Sequence, residues 1–258
     1  MYGWRARLGF IYPDTGKHDH DFFRMAPDGV SVHFTRVAYS GQDSVADISV
    51  LGEMEHLVEA AHRLTALEPS CISWVDTSGS FVFGTEGDQA QVEALRQATG
   101  VPATTTSSAT LAALRALEAE TIAVASPYIA EVNDKLTAFM ESNGVHVARL
   151  RALEIQAARE VSRTSLETVY GLGRAAFTPD AQALFIPCTD FAPVEVIEPL
   201  ERDLGIPVVL ANQATMWHAL RLAGITDCVS GFGHLFALDA DTADECREDA
   251  DVSRRSLA

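Results

Sequence analysis

The sequence predicts an α/β fold made of two duplicated, pseudo-symmetric Rossmann-like lobes, each a three-layer arrangement with a mostly parallel sheet. Three observations predict it: apolar runs rich in β-branched residues, helical patterns between those runs, and long segments that occur twice in the chain. Strands that alternate with helices are typical of parallel sheets. Internal repetition indicates two copies of one folding unit, with a cleft between them.

Seven apolar runs are the candidate strands. Several are continuous rather than alternating, as expected for strands that helices cover on both faces. Helical patterns occupy the intervals, for example at residues 53–67 and 129–144, the second of which ends at a glycine. The candidate strands are residues 8–12, 30–37, 71–75, 121–125, 145–150, 183–188 and 206–211.

The repetition is visible at the level of single residues. The segment LRQATGVPATTTSSATLAALRAL (95–117) resembles LERDLGIPVVLANQATMWHALRL (200–222), since both have a helix end, Gly, a β-branched residue, Pro, an extended run and an Ala-Thr helix start. Upstream, RLGFIYP (7–13) echoes TIAVASP (121–127). The sequence therefore predicts a two-lobed chain in which equivalent strands occupy equivalent places.

The repeat also suggests where the lobes begin and end. We expect a first lobe from residues 1–117 plus 212–237 and a second lobe from residues 118–211. The remaining segment, 238–258, is polar and acidic without an apolar stripe, so we expect a flexible tail.

Two polar tripeptides follow matching strands of the two copies. Asp76–Ser78 ends the stretch SWVDTS, and Cys188–Asp190 ends its counterpart FIPCTD. Asp, Ser and Thr often do no more than cap a helix or form a turn at such places. Ligands of open α/β sheets, however, bind beyond the carboxyl ends of strands. Both tripeptides are therefore predicted to face each other across a binding cleft.

Composition narrows the function classes. A formal net charge of −17 argues against nucleic acid as a partner, because phosphate binding needs clustered Lys and Arg. No run approaches the roughly 20 apolar residues that span a bilayer, so we expect no membrane partner. The first ten residues lack the apolar stretch of a signal peptide, which favours a cytoplasmic location.

Metal binding is not expected. The four cysteines match no zinc spacing. The run His-Asp-His-Asp at 18–21 has ligand residue types, but adjacent residues rarely converge on one ion. We interpret that run as a polar loop that enters a first helix beside the cleft.

The ordered set of motifs resembles the aspartate/glutamate racemase superfamily, in its branch of maleate cis–trans isomerases and arylmalonate decarboxylases. The resemblance extends over nearly the whole chain short of the tail. The motifs that carry it are GWRARLGFIYP, GVSVHFTRV, DTSGSF, TGVPATTTSSATLAALRAL, ASPYIAEVNDKLTAF, IPCTDF and LGIPVVLANQATMWHALRLAG.

The resemblance implies a cofactor-independent enzyme that acts on a small carboxylate or dicarboxylate. Two cysteines, one from each lobe, typically flank a carbon next to a carboxylate in this superfamily. Cys188 stands at the second-lobe position, whereas Asp76 stands where the isomerases have the first-lobe cysteine. Arylmalonate decarboxylases keep only the second cysteine, with a glycine at the first position. A homodimer is also compatible with the resemblance, since related folds often dimerise.

Further site residues follow from the same resemblance. The side chains of Thr77, Ser78 and Tyr128 and the backbone around Thr189 fit the hydrogen-bond donors that hold the substrate carboxylate. The first loop, which contains Asp14 and Gly16, is also expected to bind substrate. Two asparagines of the isomerases are missing, because Gly16 and Ala158 occupy their places.

Three functions remain open. The first is decarboxylation of a substituted malonate with Cys188 as the proton donor, since a thiol can serve as an acid. The second is a cis–trans isomerase or racemase that uses Asp76 and Cys188 on opposite faces of the substrate. The third is a non-catalytic protein that binds a small acid. Asp76 itself could be an acid/base, a partner for a polar or cationic substituent, or only a helix cap.

Overall fold

The computed structural model of the protein describes residues 3–238 of the 258-residue chain, and it has the predicted α/β architecture. Two four-stranded sheets form the centres of two lobes, and every neighbouring pair of strands is parallel. The first sheet has the order β2-β1-β3-β4 and the second β6-β5-β7-β8. The strands are β1 Ala6–Pro13, β2 Val30–Val37, β3 Cys71–Trp74, β4 Ala103–Thr105, β5 Thr121–Ser126, β6 His146–Ala152, β7 Ala183–Ile186 and β8 Val208–Leu210.

Helices connect the strands and cover both faces of each sheet. Short 3₁₀ segments lie at Thr65–Leu67, Val194–Val196 and His234–Ala237. The helix predicted at 53–67 is therefore an α-helix followed by a 3₁₀ turn. The α-helices are α1 Asp19–Met25, α2 Val45–Leu51, α3 Met54–His62, α4 Ser78–Phe81, α5 Gly84–Thr99, α6 Thr106–Ala116, α7 Ala130–Ser142, α8 Ala158–Val161, α9 Leu166–Ala176, α10 Ile197–Leu204 and α11 Ala211–Leu222.

The duplication seen in the sequence is a duplication of structure. The order α5–β4–α6 in the first copy corresponds to α10–β8–α11 in the second. Both α5 and α10 end at a glycine in the left-handed region, Gly100 at φ 73° and Gly205 at φ 70°. Glycine adopts this conformation without the strain that a Cβ atom would add.

Strand register confirms the match between the lobes. Ile72 of β3 lies opposite Ala103 of β4, and Leu184 of β7 lies opposite Val208 of β8. Ala103 and Val208 hold the same place in the repeated segment, three residues after the capping glycine. Ile72 and Leu184 are consequently equivalent positions of the two lobes.

The same register makes Asp76 and Cys188 equivalent. Asp76 lies two residues beyond Trp74, the last residue of β3, and Cys188 lies two residues beyond Ile186, the last residue of β7. Both residues therefore leave the carboxyl end of the same strand in their respective sheets, where such folds bind ligands.

The lobes are joined by the two repeated helices. α11 packs along α6 and also contacts β3 and β4 of the first sheet, while α6 reaches β8 of the second sheet. The lobe boundaries 1–117 with 212–237 and 118–211 stay a prediction. Of the predicted tail, 238–258, only Leu238 lies within the described residues. No helix among residues 3–238 combines the length and the apolar character needed to cross a bilayer.

Candidate active site

A small cavity of about 30 Å³ lies at the carboxyl ends of the strands, between the two lobes. Both lobes contribute to its wall, as the predicted cleft requires. Asp76 and Cys188, the equivalent residues, both line it. The full lining is Tyr12, Pro13, Thr15, Gly16, Tyr39, Asp43, Asp76, Ser78, Tyr128, Ala158, Val161, Cys188, Thr189 and Asp190.

Asp76 caps the short helix α4 from inside the protein. Its Oδ1 accepts hydrogen bonds from the Gly79 N–H, at 2.5 Å, and from the Ser78 hydroxyl, at 3.1 Å. The residue is only 8% exposed. Burial raises the pKa of Asp76 to about 7, with a further increase from the nearby Asp43, although the Gly79 N–H opposes the shift. One of the three roles considered for Asp76, the helix cap, is thus present.

Cys188 occupies a strained backbone conformation at φ 76°. For a residue with a Cβ atom the left-handed region costs about 1–2 kcal/mol, and such strain often marks a functional position. The conformation is fixed across the cleft, because the Cys188 N–H donates to Thr77 Oγ1 at 3.2 Å. The first lobe therefore holds the second lobe's cysteine in place.

The thiol of Cys188 is surrounded by carboxylates. Burial raises its pKa well above the ordinary value, and Asp43, Asp190 and Asp76 raise it further, against an opposing Asp190 N–H. The sulfur is consequently held as a thiol at neutral pH. A protonated sulfur is suited to give a proton to a carbanion, and it is poorly suited to attack as a thiolate.

Thr77 lies behind the cavity wall. The residue is 1% exposed and is not part of the lining, although the sequence predicted it as a substrate-binding donor. Its hydroxyl accepts from the Cys188 N–H and also shares a hydrogen bond with the Tyr128 side chain. Thr77 therefore connects two residues that do line the cavity.

Tyr128 and Ser78, two of the predicted substrate-binding residues, bring hydroxyl groups to the cavity wall. Burial, with smaller effects from Cys188 and Asp76, raises the pKa of Tyr128 well above its ordinary value, so the phenol stays protonated. Ser78 lies at the start of α4, where its hydroxyl bonds to Asp76. Tyr128 can present its O–H to a substrate oxygen, and Ser78 can do so when its hydroxyl turns away from Asp76.

Thr189 and Gly16 also line the cavity. The Thr189 carbonyl accepts from the Tyr12 hydroxyl at 2.8 Å and from Asn212 Nδ2 at 2.9 Å. A Cβ atom added at Gly16 would lie 2.5 Å from the Tyr12 ring. No larger residue fits there beside the tyrosine, which explains physically why this loop has no amide side chain.

Asp14 does not reach the cavity. It is exposed, and its Oδ1 accepts from the Tyr39 N–H at 3.1 Å. Tyr39 does line the cavity. The structure therefore places Asp14 as a support for the Tyr39 loop, whereas the sequence predicted a substrate-binding residue.

Tyr39 and Asp43 are site residues that the sequence analysis missed. The Tyr39 hydroxyl donates to Asp43 Oδ1 at 2.6 Å. Burial raises the pKa of Asp43 to about 6, with Asp190 adding to the increase and the Tyr39 hydrogen bond opposing it. Both residues follow β2, a correctly predicted strand, so their position at its carboxyl end was the signal available.

The loops after the two edge strands close the cleft from above. We call residues 41–43 and 156–158 the clasp. An antiparallel bridge joins Gln42 to Ala157, the Asp43 N–H donates to the Gln156 carbonyl at 2.8 Å, and the Ala158 N–H donates to Gly41 at 3.1 Å. These loops follow equivalent strands, β2 and β6. The clasp is therefore formed, like the cavity wall, from matching positions of the two lobes.

Residues 18–21 form a loop that enters a helix, as interpreted from the sequence. The ring of His18 bonds to Asp21 at 3.3 Å, and α1 begins at Asp19. Within residues 3–238, no three His, Cys, Asp or Glu side chains are arranged to hold a metal ion.

Comparison with known proteins identifies the family of the chain. The arylmalonate decarboxylase family model matches residues 26–236. Arylmalonate decarboxylase from Bordetella bronchiseptica is 36% identical over 237 residues, which cover 89% of this chain and 95% of that protein. Maleate isomerase from Nocardia farcinica is 33% identical over 128 residues, about half of each chain (49% and 51%).

A solved structure shows the same fold. A double mutant of arylmalonate decarboxylase in its liganded form superposes with a TM-score of 0.82 at 30% identity, covering 92% of this chain and all of the other (100%). The chain belongs to the arylmalonate decarboxylase family.

Proposed function

We propose that the protein is a cofactor-independent decarboxylase of a substituted malonate, with Cys188 as the proton donor. The observation that carries the proposal is the half-buried Cys188 thiol in a cleft between two lobes. Desolvation, and then its carboxylate neighbours, raise the pKa of the thiol and keep it protonated. The relative from Bordetella bronchiseptica bears the name of this activity.

The reaction forms a carbanion, whose negative charge must be delocalised before the carbon is protonated. When the bond between the α-carbon and one carboxylate breaks, CO₂ leaves and its electron pair passes into the remaining carboxylate as an enediolate. The hydroxyls of Ser78 and Tyr128 can donate to those oxygens, and each fixed donor of this kind is worth roughly 3–4 kcal/mol. Cys188 then gives its proton to the α-carbon, and the thiolate takes a proton from water.

Substrate entry requires the clasp to open. A cavity of about 30 Å³ has room for about two water molecules, and a malonate is larger. The backbone contact in the clasp consists of two hydrogen bonds, which together form the Gln42–Ala157 bridge. Two such bonds are weak enough to part and re-form around a substrate. Closure would exclude water while the carbanion exists.

A second reaction is favoured by a specific observation. Asp76 and Cys188 hold equivalent positions in the two lobes, and the pKa of Asp76 lies at about 7. A group with that pKa can both take and give a proton near neutral pH. Acting on opposite faces of one carbon, the pair would make a cis–trans isomerase or a racemase.

Proton NMR in D₂O distinguishes these reactions. The protein is incubated with substituted malonates, maleate, hydantoins and amino acids. CO₂ release with one deuteron at the α-carbon supports the decarboxylase, and α-deuteration or isomerisation without CO₂ supports the two-sided reaction. Ligand binding without either reaction would contradict both and leave a non-catalytic small-acid binding protein.

A further inference from the structure

The cavity wall is acidic and has no basic side chain. Three of its residues are carboxylates, Asp43, Asp76 and Asp190, and none of the fourteen lining residues is Lys, Arg or His. The basic side chains next to the wall already have partners. Lys17 Nζ donates to Ser162, and the His18 ring bonds to Asp21 and lies 3.9 Å from Asp190 Oδ1. Arg36 bonds to Asp19 and stacks on the Tyr12 ring at 4.9 Å. A substrate with only negative groups would meet an unfavourable field here.

Two of the carboxylates also have unused hydrogen-bonding capacity. Both hydrogen bonds to Asp76 are made to Oδ1, so Oδ2 accepts none from residues 3–238. Asp43 receives the Tyr39 hydroxyl at Oδ1 and likewise accepts none at Oδ2 from the described part of the chain. The residues are 8% and 6% exposed. Within the described residues, neither Oδ2 is among the fully buried oxygens that lack a partner, so both oxygens are accessible from the cavity. A ligand that brings N–H donors would therefore find two acceptors there.

A metal ion does not fit this arrangement. The three carboxylates line one cavity, yet in the described residues they are not gathered closely enough to share one metal ion. An organic cation presents several N–H donors that diverge from its nitrogen. It can therefore satisfy two carboxylates that stand apart on a cavity wall.

We propose that the substrate carries a cationic amino group, which Asp76 and Asp43 bind while Ser78 and Tyr128 hold its carboxylate. The inference rests on the proposed function for the reaction, and it adds the class of substrate: a small carboxylate with an ammonium substituent. Asp190 contributes to the attraction through its charge. The apolar side chains of Ala158 and Val161 complete the wall and leave little space for a large ring.

Binding of two matched malonates tests the proposal. 2-(Aminomethyl)malonate and 2-ethylmalonate have almost the same shape and differ in one ammonium group. Their affinities are measured by calorimetry on the full-length Cys188→Ser variant, which binds without turnover. We expect the amino compound to bind about tenfold or more tightly, since a charge-assisted hydrogen bond is worth more than a methyl contact.

Charge-removing variants locate the effect. In the same background, Asp76→Asn or Asp43→Asn should remove most of the preference, whereas Asp134→Asn on the exposed face of α7 should preserve it. Equal or tighter binding of 2-ethylmalonate would overturn the proposal, as would the absence of binding by both compounds. A preference that survives Asp76→Asn combined with Asp43→Asn would also overturn it.

The pH dependence separates this proposal from its main competitor, in which protonated Asp76 and Asp43 donate to a substrate carboxylate. The pKa values of Asp43, about 6, and Asp76, about 7, place their ionisation between about pH 5 and pH 8. The ratio of the two affinities should therefore rise with pH, and a ratio that falls or stays at one would overturn the proposal. Asp190 and His18 act in the same direction as Asp43 and Asp76, because a carboxylate that ionises or an imidazolium that loses its charge also favours the ammonium compound. The remaining groups that face these carboxylates do not reverse this dependence: burial raises the pKa values of Cys188, Tyr12, Tyr39 and Tyr128, which stay protonated, and Lys17 Nζ donates to Ser162.

Turnover by the wild-type protein is measured separately. CO₂ release from either malonate tests the proposed decarboxylation, and the affinity ratio tests the amino-group recognition. A strong preference without CO₂ release would contradict the decarboxylase and support the substrate class. CO₂ release from 2-ethylmalonate, together with equal affinities for the two compounds, would support the decarboxylase and contradict the proposed substrate class.

Discussion

Asp76 combines a structural and a chemical role in one side chain. One carboxylate oxygen caps α4 through the Gly79 N–H and the Ser78 hydroxyl, while the other is available to the cavity. The cap keeps the carboxylate inside the protein, and burial then raises its pKa to about 7. The fold therefore maintains an acid beside Cys188 at the expense of its own stability at neutral pH.

Replacing Asp76 by asparagine should show how much the buried carboxylate lowers the free energy of unfolding at neutral pH. Between an unfolded pKa of 3.8 and a folded pKa of about 7, the folded protein binds more protons than the unfolded chain, so stability falls as pH rises. Asparagine keeps an oxygen for the cap and has no charge to bury. Asp76→Asn should thus have the higher free energy of unfolding at about pH 8, by up to about 4 kcal/mol, and no such advantage at about pH 4.

Urea unfolding at both pH values measures this difference. The exposed Asp134→Asn variant on α7 is the control for lost net charge, and it should behave like the wild type at both pH values. A difference between Asp76→Asn and the wild type that does not change with pH would mean that Asp76 titrates normally in the folded state.

Some residues of the site could be predicted from the sequence, and others could not. The repeat and the family resemblance identified Asp76 and Cys188, and the structure places both on one cavity. Asp43 and Tyr39 were not among the predicted site residues, because their loop lies outside the repeated sequence motifs. Local periodicity does not predict how such a loop packs. The family resemblance predicts Thr77 as a hydrogen-bond donor to the substrate, and in the structure its hydroxyl accepts from the Cys188 N–H.

At the scale of elements, the start of α4 positions the first-lobe half of the site. A Cβ atom added at Gly79 would lie 3.0 Å from Asp76 Oδ1 and 3.2 Å from the Trp74 ring. Gly79→Ala should therefore displace the carboxylate while keeping the N–H donor. We expect the free energy of unfolding to fall by about 1–2 kcal/mol and kcat to fall about tenfold or more.

Gly171 in α9 provides a matched control. It is a helical glycine on the surface with no atoms near an added Cβ, so Gly171→Ala should raise the free energy of unfolding by about 0.5–1 kcal/mol and leave kcat unchanged. Thermal unfolding and initial rates of both variants are the measurements. Full activity in Gly79→Ala would show that the site does not depend on this approach of backbone to carboxylate.

The elements were largely predictable because each repeated signal occurs twice. All seven candidate strands exist, and the eighth, β4, was absent from the candidates because its sequence Ala-Thr-Thr is short and polar. Its equivalent β8, Val-Val-Leu, is apolar and was predicted. The 3₁₀ turn after α3 was not predicted, since the apolar spacing of Leu64 continues the helical pattern.

At the scale of the whole molecule, each lobe packs a helix against the other lobe. α6 and α11 pack side by side, and each also reaches the sheet of the other copy. The hydrogen bond from the Cys188 N–H to Thr77 Oγ1 and the clasp add polar links across the cleft. Neither lobe has its full covering of helices without the other.

This interlocking predicts one cooperative unfolding transition. Calorimetry should show a single peak whose van't Hoff enthalpy equals the measured enthalpy, as for a two-state protein. Two peaks, or a van't Hoff enthalpy near half of the measured value, would show that the lobes unfold independently.

Decarboxylation in D₂O by Cys188→Ala most directly tests the claim that the Cys188 thiol supplies the proton. The variant removes only the thiol from the cavity wall. With a substituted malonate that the wild type decarboxylates, kcat should fall at least about 100-fold, the loss typical for a removed general acid, while the thermal unfolding temperature stays close to that of the wild type. A folded Cys188→Ala variant that releases CO₂ and deuterates the α-carbon at the wild-type rate would contradict the account.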